Sequence, residues 1–222
     1  MIKAIIFDFD GVIAESSEIK TSAFCKLFEQ EGEGVAEEAV RHHLQNEGVS
    51  RYEKFMYIYK NIIKKPLTAN ASRNLGKRFS SLVVQNVVEA PFVKGAREFM
   101  ESNQSRYKFF IVSGTPSAEM RQIAKKKNIT RFFEAIYGSP TRKKDAVAEI
   151  LKKEKINSQN AVYVGDSMSD YKAAADNSVF FIARIKKNTH VFRGVECPQI
   201  RNLRGLDGAI EKIEKQGVKY DR

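Results

Sequence analysis

Apolar residues fall along this chain in two regimes. Short, nearly continuous apolar runs occupy 2–7, 107–112, 134–137, 161–164 and 179–183 and are rich in β-branched and aromatic side chains. Runs of that length without polar alternation suit parallel strands buried on both faces. Between them, 95–103, 117–127, 142–155 and 205–215 carry apolar residues at helical spacing. The alternation predicts an α/β fold with a mostly parallel sheet. Residues 15–88 break it: apolar positions at helical spacing over 16–30, 36–45, 51–64 and 71–88 are separated by Gly32, Gly34, Gly48 and Pro66, with no convincing strand. This predicts an all-helical insertion that leaves after the first strand and returns near Ala90 and Pro91. The stretch 188–202 has no pattern and is expected to be irregular, with 207–215 a surface helix on the core.

Several of the strand-like runs end in chemistry. The first stops at Asp8-Phe-Asp10-Gly11. Alternation along a strand would point both carboxylates the same way at the mouth of the sheet, where parallel sheets place their sites. Two like charges there call for a divalent cation with oxygen ligands, usually Mg2+, leaving one carboxylate to attack a substrate and the other to move protons. Solvated aspartates in an Asp-Gly turn are the bland alternative. The run at 107–112 ends in Ser113-Gly114-Thr115-Pro116 before a helix, where the Ser113 hydroxyl and free backbone N–H groups suit phosphate oxygens, or an ordinary helix cap. Arg142, Lys143 and Lys144 open a helix whose macrodipole favours acids, so a local anion is expected, against a background of lysines everywhere. The run at 161–164 ends in Gly165-Asp166-Ser167-Met168-Ser169-Asp170; Asp166 would join the cation and Asp170 support it one helical turn later.

In this order the motifs resemble the haloacid dehalogenase-like superfamily: Phe-Asp8-Phe-Asp10-Gly first, Ser113 in Val-Ser-Gly-Thr second, Lys143 or Lys144 third, and Gly165-Asp166-Ser-Met-Ser-Asp170 fourth. Lys143 fits the third motif better through Lys-x-Asp-x-Val. The resemblance is to the phosphatase branch, including phosphoglycolate phosphatase and β-phosphoglucomutase-like proteins. It implies a Rossmann-like core over 1–14 and 89–222, a helical cap over 15–88, hinges near 14–17 and 89–94, and phosphoryl transfer through an aspartyl-phosphate. On that pattern Asp8 is the nucleophile and Asp10 the acid and base. Asp8, the Asp10 carbonyl and Asp166 hold Mg2+, while Ser113, Gly114 and Lys143 bind phosphate, with Gly165 and Asp170 in support. Dehalogenation is disfavoured because a departing halide needs neither Asp10 nor a metal. The P-type ATPase pattern has threonine where Asp10 stands.

Gly48-Val49-Ser50-Arg51 resembles the cap loop of β-phosphoglucomutase-like relatives, in which the arginine meets a substrate phosphate; a capping Ser50 with solvated Arg51 is an equal reading. Against a mutase, Lys20 stands where those enzymes carry histidine, and Gly165-Asp166-Ser167 replaces their acidic pair. With Arg51, Lys20 is a candidate cap contact to the substrate, reaching the active site when the cap closes; simple exposure is the default for a lysine, and nothing marks it as a Schiff-base lysine for phosphonoacetaldehyde hydrolysis. His42 and His43 point about a hundred degrees apart on a helix and belong to the cap surface or its packing; His190 is isolated.

Composition adds bounds. The chain has 222 residues, 42% hydrophobic and 29% charged, enough for one good core and a smaller domain. Its net charge of +11 suits anionic partners, phosphorylated metabolites as well as nucleic acid, but the basic residues are dispersed, without an arginine-rich arm or aromatic-basic array, which argues against nucleic acid and leaves a solvated basic surface as the simpler reading. A small phosphorylated metabolite is the partner expected from the motifs. Cys25 and Cys197 lack metal spacing and are expected as reduced thiols. No signal peptide or membrane-length apolar stretch is apparent, giving a cytoplasmic expectation. The resulting reading is a Mg2+-dependent phosphatase for a small phosphomonoester. A sugar phosphomutase and a non-catalytic anion- or nucleic-acid-binding protein are the alternatives, and oligomeric state stays open.

Overall fold

The computed structural model describes residues 1–186 and 191–216. Six parallel strands form one sheet: β1 (Ala4–Phe7), β2 (Lys108–Pro116), β3 (Phe133–Ser139), β4 (Ala161–Gly165), β5 (Phe180–Arg184) and β6 (Gln199–Ile200), in the order β3-β2-β1-β4-β5-β6. This is the doubly wound order whose direction of winding reverses at β1. In register, Phe7 of β1 lies between Ile111 of β2 and Val164 of β4. Asp8 therefore leaves the sheet at the reversal, where the chain opens a crevice.

Period-two alternation divides the sheet between two layers. Ile5, Phe7, Phe109, Ile111, Val162, Val164 and Ile182 face one apolar cluster, which contains α5 (Ala96–Asn103), α6 (Ser117–Lys126) and α9 (Leu206–Gln216). Ala4, Ile6, Phe110, Val112, Ala161, Tyr163, Phe181 and Ala183 face the other, with α7 (Lys143–Glu154) and α8 (Met168–Asp176). Both faces are dry, which is why these strands read as unbroken apolar runs.

The helical insert between β1 and β2 comprises α1 (Ser17–Phe28), α2 (Glu33–Gln45), α3 (Arg51–Tyr57) and α4 (Ala69–Glu89). Phe24, Phe28, Phe55 and Phe79 give it a buried aromatic centre. The two crossings lie side by side, joined by an antiparallel bridge between Ala14 and Phe92 and a hydrogen bond from Glu15 N–H to the Pro91 carbonyl. Among the described residues no helix is long and apolar enough to cross a membrane.

Several sequence expectations are corrected in detail. The helix expected over 51–64 is α-helical only to Tyr57 and continues as a π-helix over Ile58–Ile63, ending at Lys64 with φ 60°. Strand β2 runs past Val112 to Pro116, with a shift in its pairing to β3; β-branched Thr115 precedes proline, which holds it extended. The stretch expected to be irregular contains β6, a two-residue strand too short to carry a pattern. Its residues 188–190 lie outside the described part of the chain, and His190 with them. Cys25 and Cys197 are free thiols.

Candidate active site

At the crevice, β1 delivers Asp8 and the turn after β4 delivers Asp166. Ligand oxygens of Asp8, Asp166 and Asp170 all lie within 4.8 Å of one another. Lys143, in the first turn of α7, reaches the same point: its Nζ is 3.2 Å from Asp8 Oδ1 and donates to Asp170 Oδ1 at 2.6 Å. Of the two candidate lysines, Lys143 is thus the one that stands at this cluster; for Lys144 the described contact is its backbone carbonyl, which accepts from Asn177.

Asp170 is fully employed. Its Oδ1 faces Lys143 and the Tyr163 hydroxyl at 2.9 Å, and its Oδ2 accepts from the Ser167 N–H at 3.1 Å and the Ser167 hydroxyl at 2.5 Å, closing a capping box on α8. With both oxygens committed, it orients Lys143 and the 167–170 turn and leaves Asp8 and Asp166 facing the crevice. Gly165 allows this approach, since a Cβ there would fall 2.3 Å from Asp170 Cβ.

Burial raises the Asp8 carboxyl from its ordinary 3.8 to about 7; the Lys143 ammonium opposes this, and the charges of Asp170 and Asp10 reinforce it. Burial likewise pushes Asp166 well above the usual carboxylate range, with Asp8 and Asp170 adding repulsion. Lys143 is shifted upward because Asp170 and Asp8 outweigh its burial. Asp8 Oδ1 is buried and, beyond its ion pair with the Lys143 ammonium at 3.2 Å, accepts no hydrogen bond. A crowded, hard-oxygen, partly unsatisfied donor set of this kind fits a divalent cation such as Mg2+.

Asp10 points elsewhere. Its side chain accepts from the Ser16 hydroxyl at 2.6 Å, from the Thr115 hydroxyl at 3.3 Å and from Lys20, which also donates to Thr115 at 2.6 Å. Burial opposes its charge, but the Lys20 ammonium and the hydrogen bonds outweigh burial and hold Asp10 below 3.8. Lys20 is therefore not the exposed lysine expected by default: the cap's first helix carries it into the crevice. The carboxylate of Asp10 stands outside the metal-type cluster, so among its atoms the expected cation contact falls to the backbone carbonyl. Ser113 is buried and its Oγ accepts from the Thr115 N–H at 3.2 Å, leaving its hydroxyl proton for another partner.

The cap reaches the core at two places. Its loop at Gly48 (φ +76°) packs so closely that a Cβ there would fall 2.1 Å from Ser169 Oγ and 2.9 Å from Lys143 Nζ, while one on Gly114 would fall 2.6 Å from the Gly48 carbonyl. The second contact is Arg51, which the sequence left between a substrate contact and a solvated residue. It is not solvated: buried over the Phe79 ring at the edge of the cavity under the cap, it makes a two-pronged ion pair with Glu119 of α6 at 3.1 and 2.5 Å and donates to Ser80 at 3.0 Å. Beneath the cap lies a cavity of about 60 Å3, bounded on the core side by Asp8, Asp10, Thr115 and Asp166 and on the cap side by Lys20, His43, Glu47, Arg51 and Lys54. His43 stacks on Phe24 and His42 on Tyr57, in separate environments, as packing residues rather than joint ligands.

Thr115, Ser16, Glu119, Tyr163 and Lys54 escaped the sequence reading, and His43 was expected only at the cap surface or in its packing. Ser16 and Thr115 had a weak signal, being polar residues near the first and second motifs. The others are recognisable only through contacts with distant helices.

The geometry defines a capped α/β protein with an acidic, lysine-bearing mouth at its sheet reversal. The chain belongs to the haloacid dehalogenase-like hydrolases, which match residues 5–184. A phosphorylated carbohydrates phosphatase of Thermotoga maritima is 24% identical over 178 residues, covering 78% of this chain and 80% of that protein. A β-phosphoglucomutase of Clostridium difficile shares the fold with a TM-score of 0.79 at 19% identity, covering 99% of this chain and all (100%) of that one. A putative hydrolase of the family, YfnB of Bacillus subtilis bound to magnesium, aligns with a TM-score of 0.70 at 14% identity over 95% of this chain and 99% of its own. At these identities the structural likenesses establish the fold.

Proposed function

We propose that this protein is a Mg2+-dependent phosphatase that hydrolyses a small phosphomonoester through an aspartyl-phosphate on Asp8. The observation that carries the reading is the junction of Asp8, Asp166 and Lys143 at the mouth of β1. Family membership, the phosphatase among its relatives and the magnesium bound to the Bacillus protein support it. Asp8, Asp166 and the Asp10 carbonyl would hold the cation, which when bound neutralises charge on the phosphoryl oxygens.

The chain's own residues supply the rest. Asp8, a carboxylate once its repulsions are relieved, attacks phosphorus in line with the leaving oxygen. Lys143, aimed by Asp170, and Ser113 with the Gly114 backbone bind the phosphoryl oxygens. Asp10 handles the proton. Held ionised by Lys20, it is in the form that takes a proton from the water attacking the aspartyl-phosphate; protonating the leaving alkoxide requires that it first gain one. The cap, taken as 15–88 on a core of 1–14 and 89–222, excludes water and meets the remainder of the substrate. A cavity of about 60 Å3 is far below the roughly 300 Å3 at which drug-sized pockets begin, so the substrate is a small phosphorylated metabolite, handled in the cytoplasm.

Phosphate release from a panel of small phosphomonoesters, with and without Mg2+, tests this. The expected outcome is Mg2+-dependent release that Asp8→Asn abolishes. Phosphate returned to another position of a sugar would favour a phosphomutase instead, and metal-independent release would overturn the reading.

A further inference from the structure

Of the charged residues lining the cavity, Lys54 and Glu47 are without an ion pair within 4.0 Å among the described residues, and Glu47 acts on Lys54 from beyond that distance. Asp10 is held by Lys20, Asp8 and Asp170 by Lys143, and Arg51 by Glu119. Lys54 of α3, 3% exposed, is not matched in this way. Among the described residues no carboxylate lies within 4.0 Å of its ammonium. Its closest polar neighbour is His43 Nδ1 at 2.9 Å, followed by the His43 carbonyl at 3.4 Å, with the Phe24 ring centroid at 5.4 Å. His43 brings no negative charge; burial and the adjacent Lys54 hold its imidazole near 3, so it is neutral and accepts from the ammonium. Lys54 has three donors, and these contacts leave one for the cavity.

A buried cation without a counter-charge costs several kcal/mol unless something compensates it. The fold answers the ammonium with the neutral His43 and the Phe24 ring, and with Glu47 only from beyond 4.0 Å. An anion entering the cavity would supply a counter-charge in contact with it. Arg51, the cap cation marked by the sequence motif, is already neutralised by a core carboxylate and stacked on Phe79, so it has no free charge to offer.

We propose that Lys54, backed by His43, is the specificity residue of the cap, and that it binds a second anionic group, carboxylate or phosphate, at the end of the substrate opposite the transferred phosphoryl group. This deepens the phosphatase reading and rests on it for which end reacts. A doubly anionic substrate would span the cavity from Lys143 and the cation site on the core to Lys54 on the cap, so closing the cap completes the recognition. An uncharged tail would leave the ammonium desolvated and would be rejected.

Equilibrium binding tests this separately from turnover. With Mg2+ present, calorimetry would compare 3-phosphonopropionate and propane-1,3-bisphosphonate with propylphosphonate, which ends in methyl, none of which can be hydrolysed. The wild type is expected to bind at least one of the two doubly anionic compounds about ten- to hundred-fold tighter than propylphosphonate, the range of a charge-assisted hydrogen bond. Preference between the first two identifies carboxylate or phosphate. Lys54→Met is expected to bring that ratio close to one, and Lys54→Arg to retain part of it. Equal wild-type affinity for all three compounds overturns the proposal without any variant, as does a ratio that survives Lys54→Met. A protein that shows the binding preference but releases no phosphate from any ester would overturn the phosphatase reading and leave the assignment of Lys54 standing.

Discussion

Replacing Lys54 by methionine should stabilise the ligand-free protein, and by more in mild acid than in mild alkali. Burial lowers the Lys54 ammonium from its ordinary 10.5 to about 7; Lys20 adds repulsion, Glu47 opposes it, and Lys143 and Asp10 make smaller contributions of opposite sign. Below pH 7 the residue is charged in both folded and unfolded chains, and the folded state carries the full cost. Between 7 and 10.5 the folded protein has released the proton while the unfolded chain keeps it, so stability rises with pH by about 1.4 kcal/mol per unit. From pH 6 to pH 9 the wild type should therefore regain about 2–3 kcal/mol that Lys54→Met, carrying no such proton, does not. Lys20, Glu47, Lys143 and Asp10 are common to both proteins, and His43 titrates too low to enter this window. Urea unfolding of both proteins in chelator at pH 6 and pH 9 measures the gap directly. A gap that is constant with pH, or a variant less stable than the wild type at pH 6, would refute the argument that an uncompensated cation is buried under the cap.

Other outcomes follow from the same geometry. Asp8→Asn should abolish turnover while leaving the melting temperature close to or above the wild-type value, because it removes the nucleophile along with a repelled carboxylate; calorimetric scanning and a phosphate-release assay check both halves. Asp166→Ala should weaken Mg2+ binding, seen as a raised half-saturating concentration in activity and in calorimetric titration. Arg51→Ala leaves the mostly buried Glu119 with only Ser80 as its side-chain partner; removing one member of a buried pair costs up to about 3–5 kcal/mol, and kcat/KM should fall alike for singly and doubly anionic substrates, in contrast to the selective loss expected at Lys54. If Arg51→Ala harms only doubly anionic substrates, the ion pair with Glu119 is not its role.

The sequence carried the core because each strand there is legible by itself. An apolar run buried on both faces ending in Asp8 or Asp166 is a local signal, and the sheet order then brings those ends together. Lys143 was legible for a related reason, being a cation at a helix start where an acid would be preferred. The cap was legible as helices but not as a surface. Arg51 sits in a recognisable loop, yet its state is decided by Glu119, on a core helix beyond all of α4 and β2. Lys54 looks like any other lysine of a basic chain until Phe24 and His43 are packed around it. Lys20 is similar: on the segment leading into the cap, exposure is its default, and only the turn through Ser16 brings its ammonium onto the Asp10 carboxylate.

The bridge between Ala14 and Phe92 has a mechanical meaning. Two chain crossings held edge to edge restrain the insert more tightly than a single strand of chain would. Any opening of the cap would have to part Arg51 from Glu119 and lift the Gly48 loop from Gly114 in the same movement. On the proposed function such a swing would expose the cation site and withdraw Lys54 from it, so that a substrate would enter a half-built site and be measured for length only as the cap shuts.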